Sequence, residues 1–170
     1  MKKLYTIFLG LMLVSIMIIP AGLVSANSES PVEVSGEVAV TSETWTIMGY
    51  SDAAVIIQIK RSLTYDGSFD GEVVEVLNYY MSWYDGMKFC CEGTQIFTGT
   101  FMGSEEGTYT ATVVHQGWEF SSPPTERYCQ TIISSTGGLN NLNGEISSEI
   151  HSTADGIWEG TYSGEITIAQ

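Results

Sequence analysis

Apolar and polar residues alternate along most of this chain, with the period of two that is typical of β-strands with one buried face. The clearest example runs from Glu72 to about Tyr84. Its alternate positions share one face, which carries Val73, Glu75, Leu77, Tyr79, Met81 and Trp83. No apolar pattern with a helical period persists beyond the first 26 residues. The pattern therefore predicts an all-β protein.

The strands are expected to be joined by short turns. Runs rich in Thr, Val, Phe and Tyr flank residues 103–107, whose glycines suit a tight reversal, so 97–117 is predicted to form a hairpin. The other strands are predicted at 34–41, from 55, at 72–84, 87–100, 128–134, 145–152 and 157–168. About eight such strands predict an antiparallel barrel or sandwich. A closed, lipocalin-like barrel is favoured because closure removes sticky edges from strands that are apolar on both faces.

The first residues have the order of an export signal. Lys2 and Lys3 precede an uncharged apolar run, and the small-residue triplet 24–26 follows it. We expect cleavage after Ala26, a flexible tether at 27–31, a single barrel domain at 32–170, and a secreted or extracytoplasmic protein. A retained membrane anchor is the alternative. Pro20 and Gly22 argue against it, because they interrupt the helix where a span would continue.

Charge limits the possible partners. The chain has 20 acidic residues, and its basic residues after position 26 are Lys60, Arg61, Lys88 and Arg127. Nucleic acid is not expected as a partner, since binding it requires a cationic surface. No membrane span in the mature chain, no cofactor and no metal site are expected, and the sequence leaves the oligomeric state open.

Four segments carry a family resemblance. They are residues 97–100, 107–117, 135–144 and 160–162, and they include the Thr-Gly-Thr and Gly-Gly-Leu-Asn-Asn-Leu-Asn-Gly runs. With these segments the chain resembles the bacterial and archaeal family named domain of unknown function 3224. The resemblance implies a closed antiparallel barrel similar to that of allene oxide cyclase, without an established activity. It also implies that His115 matches a frequent family histidine, whereas Gln95 and Gly138 replace acids.

Glu75 is the only charged residue on its strand face. A carboxylate among apolar neighbours has a raised pKa unless it is paired, which suits a general acid or a ligand anchor. Lys60 or Arg61 on the preceding strand could pair with it, and Glu75→Gln would then leave a buried cation uncompensated. A purely structural ion pair is the alternative. The ligand-binding candidates are Glu75, Tyr79, Trp83, His115 and Trp118, and no catalytic residue is assigned.

The three cysteines suggest one disulfide. Cys90 and Cys91 are adjacent on a strand, so their side chains point to opposite faces and at most one of them can readily reach Cys129. In an oxidising compartment one bridge and one free thiol are expected. A metal site is disfavoured, because adjacent cysteines lack the usual ligand spacing.

The aromatic residues provide the main functional indication. Trp45, Trp83, Trp118, Trp158 and the tyrosines could line an apolar pocket or simply fill a core. We predict an exported β-barrel that binds a small, largely apolar molecule inside the barrel. Two alternatives stay open: a cyclase- or isomerase-like enzyme acting on a lipid-derived substrate, and a structural or partner-binding envelope protein.

Overall fold

Eight antiparallel strands form a closed barrel. The structure is a computed structural model that describes residues 30–82, 88–119 and 122–169, with backbone alone for 88–89 and 116–119. Each strand pairs with the next, and β8 pairs with β1. The all-β class and the closed eight-stranded barrel are therefore confirmed. The strands are β1 Val32–Tyr50, β2 Ala54–Gly67, β3 Phe69–Ser82, β4 Lys88–Phe101, β5 Gly107–Glu119, β6 Thr125–Gly137, β7 Leu142–Ser152 and β8 Trp158–Ile168.

Two strands are markedly longer than the sequence pattern predicts. The register of β1 against β2 shifts between Val40 and Ser42, which is the signature of a β-bulge. The bulge moves the inward positions from even to odd numbers, so the alternation in the sequence stops near Thr41 although the strand continues to Tyr50. Strand β6 begins at Thr125, three residues before the predicted start.

The barrel has two different ends. The turns after β2, β4 and β6 lie at one end, which we call the lower end. The carboxyl-terminal ends of β1, β3, β5 and β7 lie at the upper end. Because every strand runs the length of the barrel, a residue's position along its strand gives its height in the interior.

Aromatic rings fill the lower half of the interior. Phe69 is fully buried and packs on Phe97, Phe101 and Tyr109, with ring centroids 5.4, 4.9 and 5.4 Å away. Leu139, in the turn after β6, and Leu142, at the start of β7, are buried at the same end. We call this layer the aromatic floor, and its members are Tyr65, Phe69, Phe97, Phe101, Tyr109, Leu139, Leu142 and Tyr162.

Glycine provides the space that these rings occupy. A Cβ on Gly36 would lie 2.5 Å from the Tyr162 hydroxyl, and one on Gly99 would lie 2.8 Å from the tip of the Phe97 ring. Both rings therefore lie directly on neighbouring backbone. The Tyr162 hydroxyl also accepts a hydrogen bond of 2.8 Å from the Phe69 backbone N–H, which closes the lower end between β8 and β3.

The predicted disulfide is not present in this structure, in which Cys90, Cys91 and Cys129 are all free. Strand β5 lies between β4 and β6, and Val114 separates Glu92 of β4 from Cys129 of β6. The Cα atoms are thus separated by two strand spacings of about 4.8 Å each. Their distance exceeds the roughly 4.4–6.8 Å that a disulfide allows between Cα atoms. Cys91 also points into the barrel, where it is buried.

Some predictions concern residues outside the described part of the chain. The export signal at 1–26, most of the tether and the turn at Asp85-Gly86 belong to this group. Across the described residues, no helix has the length and hydropathy that a membrane span requires.

Candidate functional site

Four charged side chains meet in the upper half of the barrel interior. Arg61 of β2 lies opposite Glu43 of β1 and opposite Glu75 of β3 in the two strand registers. Glu126 reaches the same place from the start of β6. Arg61, Glu75 and Glu126 are all buried. We call these four residues the charged cluster.

Arg61 directs its guanidinium group at two of the three carboxylates. Its Nε donates to Glu43 Oε2, and its Nη1 and Nη2 each donate to Glu126 Oε2 at 3.1 Å. The Nη1 atom also donates to the Tyr128 hydroxyl at 2.7 Å. Burial opposes the charge of Arg61, but Glu126 and the other carboxylates outweigh burial and raise its pKa above the ordinary value. Arg61 therefore stays charged.

Two tyrosines form a directed chain of hydrogen bonds beside Arg61. The Tyr128 hydroxyl donates to Glu126 Oε2, and the hydroxyls of Tyr79 and Tyr128 lie 2.7 Å apart. Because a phenol has one proton, and that of Tyr128 is given to Glu126, Tyr79 is the donor to Tyr128. Burial raises the pKa of Tyr79 well above its ordinary value, so it remains a neutral donor.

His115 packs against these two tyrosines. Its ring centroid lies 6.0 Å from that of Tyr79 and 5.3 Å from that of Tyr128. Its buried Nε2 atom has no hydrogen-bond partner among the described residues. Burial first, and the charge of Arg61 second, lower the pKa of His115. The imidazole is therefore neutral at physiological pH.

Glu75 is the least satisfied member of the charged cluster. Its Oε1 lies 3.7 Å from Arg61 Nη1, which is an ion pair beyond hydrogen-bond distance. Burial raises its pKa to about 7, and repulsion from Glu126 and Glu43 adds to burial while Arg61 opposes it. Glu75 is thus a buried acid that gains or loses its proton near neutral pH.

A layer of neutral polar groups separates the charged cluster from the aromatic floor. Gln95, which faces Glu75 across the β3–β4 pair, donates from Nε2 to the Tyr109 hydroxyl at 3.0 Å. Gln130 donates from Nε2 to Ser148 Oγ at 2.9 Å. The Oε1 atoms of both glutamines are buried and accept no hydrogen bond within the described residues. The interior therefore holds two unused acceptors, and one of them, on Gln95, lies directly across from Glu75.

An apolar surface continues upward from the charged cluster. Trp45 lies opposite Ile59 and Ile47 opposite Ile57, so both project from the inner face of β1. Trp45 is 54% and Ile47 67% exposed, unlike the interior residues below them. Trp45 Nε1 donates to Glu43 Oε1, which joins this surface to the charged cluster. We call the surface the upper wall, and its members are Trp45, Ile47, Tyr50, Val55, Ile57 and Met81.

The structure brings together three of the five predicted ligand-binding residues. Glu75, Tyr79 and His115 lie in or beside the charged cluster. Trp83 and the Trp118 side chain fall outside the described residues. The predicted partner of Glu75 is confirmed as Arg61, whereas Lys60 is exposed on the outer face.

Sequence reasoning missed three members of this site. Glu126 and Tyr128 alternate with half-buried neighbours at the start of β6, but the predicted strand began too late to reveal that Glu126 points inward. Glu43 follows the bulge in β1, which hides its inward orientation. A pattern search that tolerates one skipped residue would have indicated Glu43, Trp45 and Ile47 as an inward set.

A concave region lies on the outer surface, where β1 meets β8. This groove has a volume of about 420 Å³ and is lined by Glu37, Asp66, His151 and Glu159 with neighbouring residues. Its acidic side chains face solvent, so water and salt screen their charges. The interior site is the stronger candidate, because its charges are buried and interact far more strongly.

We expect Glu75→Gln to stabilise the protein at pH 8. Arg61 keeps Glu43 and Glu126, so the earlier expectation of an uncompensated cation is wrong. The pKa of Glu75 is raised on folding, so the folded state binds more protons than the unfolded state between about pH 4.5 and 7. Its ionisation therefore costs stability as pH rises through that window, on the order of 1–3 kcal/mol, and the glutamine removes this cost.

Urea unfolding at pH 4.5, 6 and 8 measures this effect. The advantage of Glu75→Gln should grow from near zero at pH 4.5 to its full value at pH 8. Glu72→Gln is the matched control, since Glu72 is an exposed acid on the opposite face of the same strand. A glutamine variant that is less stable than the wild type at pH 8 would show that Arg61 needs Glu75.

The comparisons with known proteins concern the fold. No protein-family model matches the sequence, and the search of the curated proteins found no match. Among solved structures, the crystal structure of a protein with unknown function from the DUF3224 family of Shewanella oneidensis MR-1 is similar, with a TM-score of 0.60 and 13% identity. The similarity covers 83% of this chain and 100% of that one. The chain has the fold of a DUF3224 protein.

The resemblance inferred from residues 97–100, 107–117, 135–144 and 160–162 is therefore confirmed at the level of the fold. At 13% identity the likeness to the DUF3224 protein does not extend to the residues of a site. The chemistry of the site therefore depends on the interior residues of this chain.

Proposed function

We propose that this protein is an exported barrel that binds a small amphipathic molecule at its upper end. The apolar body of that molecule would lie on the upper wall, and its polar group would reach the charged cluster. Export is inferred from the signal-like residues 1–26. Binding is inferred from the upper wall and the charged cluster of the barrel interior.

One observation carries this proposal: an exposed apolar surface is continuous with a buried charged cluster on the same inner face. Soluble proteins seldom expose large apolar side chains next to one another without a binding role. Trp45 and Ile47 are both more than half exposed, and Trp45 touches the Glu43 carboxylate. An amphipathic molecule complements both regions at once, since ligand sites combine apolar walls with a few placed polar groups.

The lower half of the barrel supports the same placement. The aromatic floor occupies the interior there with buried, mutually packed rings. A ligand is therefore expected in the upper half, where the inner face carries the exposed apolar side chains of Trp45 and Ile47 instead of packed rings.

A fluorescence titration with N-phenyl-1-naphthylamine, an uncharged apolar probe at neutral pH, tests the proposal. We expect saturable binding that Ile47→Asp weakens by about fivefold or more, because a charge replaces part of the apolar contact. Ile133→Asp is the matched control, since Ile133 is 60% exposed on the outer face of β6. Absence of saturable binding, or equal losses in both variants, would count against a binding role for the upper wall.

An isomerase-like activity is a second candidate. It is favoured by the position of Glu75, a buried carboxyl group that lies beyond hydrogen-bond distance of Arg61. Burial raises its pKa to about 7, which suits an acid or base that exchanges a proton at neutral pH. Mass spectrometry of a molecule that co-purifies with the protein, before and after prolonged incubation, distinguishes the two functions. An unchanged molecule supports binding alone.

A further inference from the structure

We propose that the polar group bound by the charged cluster is a cation, and that the ligand is an amphipathic amine. Its ammonium group would lie between Glu75 and Gln95, with the hydrocarbon body along the upper wall. The inference rests on the proposed binding function and names the chemical class of its ligand.

The charged cluster has more carboxylates than cations. Arg61 is the one cation of the charged cluster, and its hydrogen bonds go to Glu43, Glu126 and Tyr128. Even without Glu75, two carboxylates thus face one guanidinium, which leaves a surplus of negative charge. A carboxylate or phosphate on the ligand would increase this surplus of negative charge, whereas an ammonium would remove it.

Two buried acceptors, the Glu75 carboxyl group and Gln95 Oε1, receive no hydrogen bond from the described residues. Glu75 is 4% exposed and lies beyond hydrogen-bond distance of Arg61. Gln95 is completely buried directly across the strand pair from it, and its Oε1 accepts no hydrogen bond within the described residues. Cross-strand neighbours of this kind have Cβ atoms about 5 Å apart. An ammonium group has three N–H donors and no acceptor, so it can serve both oxygens. Tyr65 and Tyr109 also face this position, and their hydroxyls accept from Gln95 Nε2 at 3.4 and 3.0 Å.

The other titratable groups that face this position supply no positive charge. Tyr79 and Tyr128 direct their protons along the chain to Glu126, and His115 is neutral because its pKa is lowered. Cys91 is neutral as well, since burial raises its pKa to about 12. In the described part of the chain, no three acid, histidine or cysteine side chains are arranged to hold a metal ion. An organic cation is therefore favoured over a metal.

A proton is the competitor for the same position. Below about pH 7 Glu75 is protonated and its hydroxyl can donate to a neighbouring acceptor. Binding of an ammonium group should then displace this proton. The affinity for an amine is accordingly expected to rise between pH 5.5 and 8.

Three probes of equal chain length test the inference through displacement of N-phenyl-1-naphthylamine. They are decylammonium, decanol and decanoate, which differ only in their head groups. At pH 8 we expect decylammonium to bind at least about tenfold more tightly than decanoate, with decanol between them. Calorimetry in two buffers with different ionisation enthalpies should show release of a substantial fraction of a proton per decylammonium at pH 6, and little at pH 8.

Two variants, Glu75→Gln and Glu72→Gln, test whether the preference for decylammonium arises at the charged cluster. The first variant should reduce the preference for decylammonium over decanoate to about threefold or less and abolish proton release, because it removes the surplus carboxylate. The second should change neither quantity, since Glu72 is exposed.

The outcomes separate the two proposals. If the naphthylamine probe and decanol bind but decanoate binds as tightly as decylammonium, the cation inference is wrong and the binding function stands. If decylammonium is preferred equally in both glutamine variants, its attraction comes from the acidic surface and the site assignment is wrong. If no probe binds, the proposed function itself fails.

Discussion

Arg61→Met is expected to destabilise the protein by about 3–5 kcal/mol at pH 8, because it leaves buried carboxylates without their cation. Arg61 lies against Glu43, Glu75 and Glu126, and its side chain is fully buried. Without the guanidinium, burial and mutual repulsion of Glu75 and Glu126 raise the folded-state pKa of both further above the unfolded value. The loss should therefore be largest at high pH and shrink as the pH falls towards 5, where these acids become protonated.

Equilibrium unfolding in urea at pH 5 and 8 checks this expectation. Lys60→Met is the matched control on the same strand, and it should change stability by less than about 0.5 kcal/mol because Lys60 is exposed. Adding Glu126→Gln to Arg61→Met should recover about 1–3 kcal/mol, since the two residues are directly coupled. A loss below about 1 kcal/mol in Arg61→Met would mean that water or a shifted pKa replaces the cation at little cost.

Phe69→Ala is expected to cost about 3–5 kcal/mol, because it opens a cavity in the centre of the aromatic floor. Phe69 is completely buried and contacts four other rings, those of Phe97, Phe101, Tyr109 and Tyr162. Two of these rings, those of Phe97 and Tyr162, lie against glycine backbone, which limits how far they can move to fill the space. The midpoint of thermal unfolding should fall by roughly 10 °C for a domain of this size.

Met102→Ala provides the comparison at the same end of the barrel. Met102 is 62% exposed in the turn after β4, so its truncation should change stability by less than about 0.5 kcal/mol. Similar losses in the two variants would show that the floor is loosely packed. Retention of probe binding by folded Phe69→Ala would additionally support a ligand site in the upper half alone.

The inward orientation of Glu75 illustrates what a local pattern can predict. Alternation between Val73 and Tyr79 is unbroken, and strand geometry places every second side chain on one face. The partner of Glu75 could be narrowed to Lys60 or Arg61 on the preceding strand, but not further. A shift of one residue in the β2–β3 register would have exchanged them.

Glu126 and Glu43 illustrate what no local pattern provides. Glu126 lies 65 residues from Arg61 and reaches it only because the barrel closes. Glu43 points inward because a bulge after Val40 reverses the alternation of β1. These two carboxylates change the role of Glu75 from the necessary partner of Arg61 to a surplus acid, and they reverse the expected effect of Glu75→Gln.

The sequence by itself therefore determined the strand content, most of the turns and the closed barrel, since these follow from a period of two and from residues that favour reversals. It also determined that Glu75 and Tyr79 share an inward face. The composition of the charged cluster, the absence of a bond between Cys90 or Cys91 and Cys129, and the separation of an aromatic lower half from a polar upper half came from the tertiary structure. The physical reason is range: alternation acts between neighbours in the chain, whereas burial and charge balance depend on residues that register and closure bring together.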